Sequence, residues 1–258
     1  MKKKRFIIIY GTIGLAILVG IIWYGASLGV GVAPQSNSGT TPVDRVENTA
    51  GADEAQNESD GLVNQVYIAN VPFTSQAPLS NWNDPRQQDG CEEASILMAA
   101  EWMSGGAIPS VDYALTKMRT LSEMAESMFG SFADSSAADT LKLFRNYTGT
   151  TRGVLMYDFT ITDIKTELAK GNILISPMNG QALGNPNCTG AGPERHFLAI
   201  IGYDDATGMF TTNDPGTRNG KNYRYTYATL FAAMRDYPTG DHLPITSNRR
   251  AMISISKH

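Results

Sequence analysis

The chain reads as an α+β protein, helical in the first half of its globular part and stranded in the second. Helical apolar patterns occur at 91–103, 110–121, 135–147 and 163–169. Short apolar runs bounded by Gly, Asp and Asn turns follow at 172–177, 197–203, 209–213 and 222–227. The two kinds of segment are sorted rather than alternating, so the expected sheet is antiparallel, with helices packed on it, instead of a parallel sheet built from βαβ units.

The elements can be justified in turn. Residues 66–73 form an expected short strand, which Pro72 confines to an edge or an end. Residues 75–90 are dense in Pro, Asn, Asp and Gln and read as loop. From Cys91 the residues Ala94, Ile96, Leu97, Ala100 and Trp102 suit a largely buried helix, which Gly105-Gly106 ends. The helix at 163–169 closes with Gly171 as a C′ residue. The turn Asp204-Asp205-Ala206-Thr207-Gly208 joins two strands as a hairpin. A short helix at 228–235 and a last strand at 252–255 complete the domain.

The N-terminus differs from the rest. Met1-Lys2-Lys3-Lys4-Arg5 precedes an uncharged apolar run, 6–23, that is long enough to span a bilayer. The basic flank belongs on the cytoplasmic side, with Trp23 and Tyr24 near the far interface. A cleaved signal peptide is the competing reading. Its cleavage context is poor, because Gly31-Val32-Ala33 is followed by Pro34. Residues 33–62 are rich in Ser, Thr, Asn, Gly, Asp and Glu and bury too little apolar surface to order themselves. The expected organisation is therefore a basic tip and transmembrane signal anchor at 1–32, a linker at 33–62 and an extracytoplasmic domain at 63–258. The formal net charge is −4 and no Lys/Arg cluster lies beyond the N-terminus, which argues against nucleic-acid binding.

Within the domain, Gly90-Cys91-Glu92-Glu93 places a thiol at the start of a helix. Unpaired N–H groups and the positive end of the helix dipole favour a thiolate there. Glu92 and Glu93 suit a first turn for the same electrostatic reason, although a nearby negative charge raises a thiol pKa. His196 stands at the start of an apolar strand and Asp214 at the end of the next one, so a hairpin would bring them together. An acceptor on one imidazole nitrogen fixes the tautomer and leaves the other nitrogen to face the thiol. Gln76, with Gln87 and Gln88 as alternatives, could join the Cys91 N–H in stabilising an oxyanion. Each residue also has a structural use: Cys91 as a small buried side chain, His196 as a core histidine, Asp214 as a turn residue before Pro-Gly. Cys91, Cys188, His196 and Asp214 could in principle hold zinc. No CxxC or HxxxH spacing supports that, and no metal or cofactor is expected. In an oxidising compartment a Cys91–Cys188 disulfide is also open.

Taken together, Val71-Pro72-Phe73-Thr74-Ser75-Gln76, Gly90-Cys91, His196-Phe197-Leu198-Ala199-Ile200-Ile201-Gly202-Tyr203-Asp204 and Asn213-Asp214-Pro215-Gly216 resemble the papain-like cysteine peptidases. More narrowly they resemble the branch of the double-glycine leader peptidases that process bacteriocins. The resemblance spans about 66–255. It implies a papain-like fold with Cys91 as nucleophile, His196 as general base and then acid, Asp214 orienting His196, and Gln76 as oxyanion donor. It departs from the family where Glu92 and Glu93 replace the usual Gly-Pro after the cysteine, and in the longer spacing from Gln76 to Cys91. The expected function is hydrolysis of peptide or amide bonds in a peptide or protein substrate by a membrane-tethered enzyme. A catalytically silent domain that binds peptide or cell-wall material and a thiol-dependent acyltransferase are the alternatives.

Overall fold

A computed structural model describes residues 61–258. The signal anchor read at 1–32 and all but the end of the linker read at 33–62 lie outside the described residues. Among the described residues no helix is long and apolar enough to cross a membrane.

The elements run β1 (Gln65–Tyr67), α1 (Pro85–Gln88), α2 (Cys91–Ser104), α3 (Val111–Phe129), α4 (Ala137–Thr148), β2 (Val154–Tyr157), α5 (Ile161–Ala169), β3 (Ile173–Met178), α6 (Gly180–Leu183), β4 (His196–Asp204), β5 (Met209–Asn213), β6 (Tyr223–Thr226), α7 (Tyr227–Ala233) and β7 (Ala251–Ile255). The expected α+β class with an antiparallel sheet is what the chain adopts. Its seven strands run in the order β2-β7-β3-β4-β5-β6, every pair antiparallel, with β1 added to β4. One edge of β4 pairs with β3 over 196–200 and with β1 over 202–204, while the other edge pairs with β5.

Sheet periodicity explains why β3, β4 and β7 look continuously apolar in sequence. Successive side chains point to opposite faces, and both faces are covered. Phe197, Ala199 and Ile201 of β4 join Ile173, Ile175, Ile253 and Ile255 in the core that holds α2, α3 and α4. Leu198 and Ile200 join Leu174 and Met252 in a second core with Ile164 and Leu168 of α5 and Leu230 of α7. The β4–β5 register shifts between Ile200 and Gly202, as a bulge does, and Tyr203 accordingly packs in the second core.

α2 has no solvent-facing polar stripe over most of its length because it is buried all round, from Cys91 to Ala100 and again at Trp102. Ile96, Leu97 and Met98 have no exposure, and burying each contributes roughly 1.5–3 kcal/mol before entropy is counted. The helix stops at Gly105, whose φ of 74° is the left-handed conformation a C-terminal cap requires.

Several expectations needed correction. The first strand ends at Tyr67 rather than reaching 73, and the chain turns off the sheet at Asn70, whose φ is 61°. α3 continues well past 121, since Leu121 and Ala125 keep its buried stripe until Gly130 caps it. The loop at 75–90 contains the single turn α1, started by Asp84 as N-cap and Pro85 in the first turn, a sequence signature of a helix start. β2 and α6 were not expected. β2 is a half-exposed edge strand that takes its register from β7, a partner at the other end of the domain, so no local pattern announces it.

Candidate active site

The β4–β5 hairpin forms across the expected turn, with Ala199 opposite Asn213. His196 opens β4 and Asp214 directly follows β5, so both lie at the same end of adjacent strands. His196 Nε2 is 2.7 Å from Asp214 Oδ1. The same carboxylate accepts the Gly216 N–H at 3.0 Å, the Asn185 amide at 3.0 Å and the Tyr225 hydroxyl at 2.5 Å. Burial by itself would raise the Asp214 carboxyl. The adjacent His196, its hydrogen bond, and those of Tyr225 and the Gly216 N–H outweigh burial and lower the pKa to about 2. An ionised Asp214 requires the proton of a neutral imidazole on Nε2, which leaves Nδ1 as an acceptor. Nδ1 is buried and has no hydrogen-bond partner among the described residues.

Gly216 is a positional requirement of this pair. A Cβ there would sit 2.8 Å from His196 Cε1 and 3.2 Å from its Nε2. The loop also anchors the Gln76 segment, because the Gln76 N–H donates to the Pro215 carbonyl at 2.9 Å and Asn213 Nδ2 donates to the Pro72 carbonyl at 3.1 Å. The separate motifs of the sequence are thus held together through their backbones.

Cys91 is the first residue of α2, after Gly90, which supplies no side-chain cap. A Cβ at position 90 would lie 2.7 Å from the Arg86 carbonyl, so the approach of α1 to α2 needs glycine. Cys91, His196 and Gln76 line one cavity of about 310 Å³, together with Gln88, Asp89, Asp134, Arg195 and His242. A second cavity of about 720 Å³ shares Gln76, Gln88 and Pro193 with it and continues past Trp82, Cys188 and Arg218. Among the described residues Arg218 is the one charged residue on its wall.

The opposing influences read around the thiol resolve as follows in the fold. Cys91 Sγ donates to Glu92 Oε2 at 2.9 Å, and no hydrogen bond joins it to His196. Burial, then the charge and hydrogen bond of Glu92, then Glu93 and Asp134, push the Cys91 thiol well up. A helix start favours a thiolate and adjacent carboxylates oppose it. Burial and the adjacent carboxylates outweigh the helix dipole in this resting arrangement. Glu92 and Glu93 do stand in the first turn of α2, as expected, but both are buried, each 2% exposed. Glu92 Oε1 accepts the Tyr237 hydroxyl at 2.7 Å and the Ser135 N–H at 3.1 Å, whereas Glu93 Oε2 has no partner among the described residues.

Gln76 reaches the cavity, but its Nε2 donates to the Gln88 carbonyl at 2.6 Å and to the Gln87 carbonyl at 3.3 Å. Of the alternatives, Gln87 is turned to Asp84, with Nε2 donating at 3.0 Å, and Gln88 is exposed on the rim. Cys91 and Cys188 are both free thiols on different cavities. Among the described residues no cluster of His, Cys, Asp and Glu could hold a metal ion.

Four contributors were invisible in sequence. Asn185 and Tyr225 complete the shell of Asp214 from α6's C-terminal side and from β6, and Tyr237 holds Glu92 from beyond α7. His242, in the loop after α7, lines the cavity and meets Asp134 Oδ2 through Nδ1 at 2.9 Å. The one available signal was the Cys91-Glu92-Glu93 sequence, where two carboxylates next to an apolar run invite a buried role.

Comparison with known proteins adds three findings. Residues 68–238 match the Peptidase_C39 like family. No curated protein matches the chain. Among solved structures, the chain is similar to a protein described as a candidate C39-like peptidase from Bacillus anthracis, with 14% identity, 74% of this chain and 98% of that chain covered, and a TM-score of 0.47. It is also similar to xylellain, a cysteine protease from Xylella fastidiosa, with 11% identity, 78% and 90% coverage, and a TM-score of 0.47.

Proposed function

The chain belongs to the Peptidase C39-like family and is a cysteine peptidase, and from that premise we propose that it hydrolyses peptide bonds with Cys91 as nucleophile, His196 as base and acid, and Asp214 as the residue that orients His196. The observation that supports the assignment is that His196, paired through Nε2 with Asp214, lines the same cavity as Cys91 and keeps an Nδ1 with no hydrogen-bond partner among the described residues.

The chemistry runs as follows. The Cys91 side chain turns from Glu92 toward His196, and Nδ1 takes the thiol proton. Sγ attacks the scissile carbonyl carbon, whose π pair moves to oxygen. The Cys91 N–H and Gln76 Nε2 donate to that oxyanion; Gln76 frees an N–H from the Gln87 carbonyl, the longer of its two contacts at 3.3 Å. The C–N bond breaks, and Nδ1–H protonates the leaving amine. A water molecule then gives its proton to Nδ1 and attacks the thioester, and the acid leaves as Sγ recovers the proton. Asp214 stabilises the imidazolium throughout without taking the proton itself.

The substrate is a peptide or protein chain long enough to lie across both cavities. The basic flank and apolar run of the N-terminus support a signal anchor that holds the domain outside the cytoplasm, with secretion after signal cleavage as the other outcome of a topology assay.

The test is incubation of the full chain with a defined peptide mixture and mass-spectrometric reading of products. New termini formed with water, and lost in Cys91→Ala, support the assignment. Products capped by an added amine would make the protein an acyltransferase, and cleavage that persists in Cys91→Ala would overturn the nucleophile.

A further inference from the structure

Among the described residues, Glu92 is the side chain that hydrogen-bonds the nucleophile's sulfur, with Oε2 at 2.9 Å from Cys91 Sγ. Its other oxygen is fixed from two further parts of the fold, by the Tyr237 hydroxyl at 2.7 Å and the Ser135 N–H at 3.1 Å. The same Tyr237 hydroxyl reaches the His196 carbonyl at 3.3 Å, so one phenol spans the carboxylate and the strand that carries the base. A carboxylate present only to complement a helix dipole would face water; this one is buried and points at the reacting atom.

We propose that Glu92 is a positioning residue that holds the Cys91 thiol away from His196 in the resting enzyme and releases it on binding a proton, so that acid switches the peptidase on. The inference rests on the assignment of Cys91 as nucleophile.

The proton balance dictates the direction. At rest the sulfur keeps its proton and donates it to an ionised Glu92. A thiolate formed at that point would place two negative charges in contact in a buried site, a costly arrangement. When one solvent proton binds Oε2, the carboxyl becomes a donor. The thiol turns to Nδ1 and passes its proton there, and the electron pair stays on sulfur. Glu92, now neutral, no longer competes for the S–H, and the imidazolium balances the thiolate. One proton is taken up per site activated.

The surroundings support proton uptake above the usual carboxylate range. On α2 the carboxylate faces Cys91 and Glu93. From the segment before α4 it faces Asp134, itself paired with Arg195 at 3.3 Å and His242 at 2.9 Å. Tyr237 faces it from beyond α7 and also reaches the backbone carbonyl of His196 on β4, and Asp89 lies near Glu93 at the end of α1. Burial first, and Asp134 with it, raises the Glu92 carboxyl above the usual range despite the hydrogen bonds from Cys91, Tyr237 and Ser135. A raised carboxyl fills with protons as pH falls through its folded value, so the active arrangement gains population in that direction.

The experiment is alkylation of the full chain by iodoacetamide across pH, with peptide mapping to separate Cys91 from Cys188. An ordinary thiol reacts about tenfold faster per pH unit below its pKa. Wild-type Cys91 is expected instead to react faster at about pH 5.5 than at about pH 8, and Glu92→Gln to raise the rate at about pH 8 by tenfold or more. Tyr237→Phe, which strips a donor from Glu92, should start the acid-side rise at a higher pH. Wild-type labelling that climbs steadily with pH, or a Glu92→Gln profile superimposable on wild type, overturns the proposal. Should Glu92→Gln not fold, the wild-type profile and Tyr237→Phe decide. Alkylation needs no substrate, so the two readings fail separately. A protein that labels as expected but cleaves nothing loses the nucleophile assignment to peptide hydrolysis alone. One that cleaves peptides and labels with a steadily alkaline profile loses only the switch.

Discussion

His196 Nε2 lies 2.7 Å from Asp214 Oδ1, and both side chains are closed to solvent at 2% and 1% exposure. Each accounts for the burial of the other. The imidazole gives the carboxylate a partner that offsets its desolvation, and the carboxylate fixes which imidazole nitrogen carries the proton. Asn185, Tyr225 and the Gly216 N–H satisfy the remaining lone pairs, so the pair is held rigidly rather than merely placed close.

Asp214→Asn should fold and still bind peptide, because the amide fits the same space. It removes the charge that stabilises the imidazolium and presents the ring with the wrong tautomer. We expect kcat to fall by roughly 10²–10⁴-fold with KM little changed, read from steady-state kinetics on any cleaved peptide.

The same carboxyl sets an acid limit to stability. Its pKa is lowered to about 2 in the fold, against about 3.9 in an unfolded chain. A depressed acid contributes its stability above the unfolded value and loses it as pH falls through the folded one. The contribution is about 2 kcal/mol, present above about pH 4 and gone near about pH 2. Chemical denaturation across that window should show the loss in wild type and a flatter profile in Asp214→Asn.

Glu93 should act in the opposite sense. Burial first, then the charge of Glu92, raises its carboxyl well above the usual range, and Oε2 has no partner among the described residues. A raised acid stabilises below its unfolded pKa and costs stability as pH rises through its folded value. Glu93→Gln is therefore expected to raise the melting temperature at about pH 8 and to leave it nearly unchanged at about pH 4. Differential scanning fluorimetry at the two pH values checks it, and equal shifts at both would refute it.

Gly216→Ala is a test of geometry with no charge change. The added methyl would stand 2.8 Å from His196 Cε1, so the ring or the loop must give way. Because Asp214 and His196 both survive, the expected outcome is a folded protein with kcat reduced about 10²-fold, as for a misplacement of roughly 1 Å. Unchanged kinetics would mean that the ring position is not critical.

Gln76→Ala separates the oxyanion assignment from scaffolding. Loss of an oxyanion donor costs roughly 10²–10³ in kcat, whereas loss of the two contacts to the Gln87 and Gln88 carbonyls costs about 1 kcal/mol each in stability. Parallel measurement of kcat and melting temperature is expected to show both effects. A stability loss with kcat unchanged would restrict Gln76 to a structural role.

Much of the site was legible because its parts sit on strong local signals. Gly90-Cys91 opens a helix whose apolar residues have no polar face, and the 204–208 turn dictates a hairpin, so His196 and Asp214 had to meet at its open end. β1, β2 and α6 were misjudged or missed because they are short and owe their form to distant partners. The resting partner of the thiol was not legible for a related reason. Glu92 next to Cys91 is compatible with a solvated first turn until one knows that Tyr237 and the backbone of Ser135 close over it.

The sequence by itself determined the α+β class, the start of the helix at Cys91 and the pairing of His196 with Asp214, since each follows from periodicity, turn chemistry or spacing along a few residues. Only the tertiary structure decided which nitrogen of His196 is free, where the amide of Gln76 is engaged, and that the Cys91 thiol rests on a buried carboxylate. Those depend on burial and on hydrogen-bond donors brought from as far as 145 residues away in the chain, and desolvation has no local sequence signature.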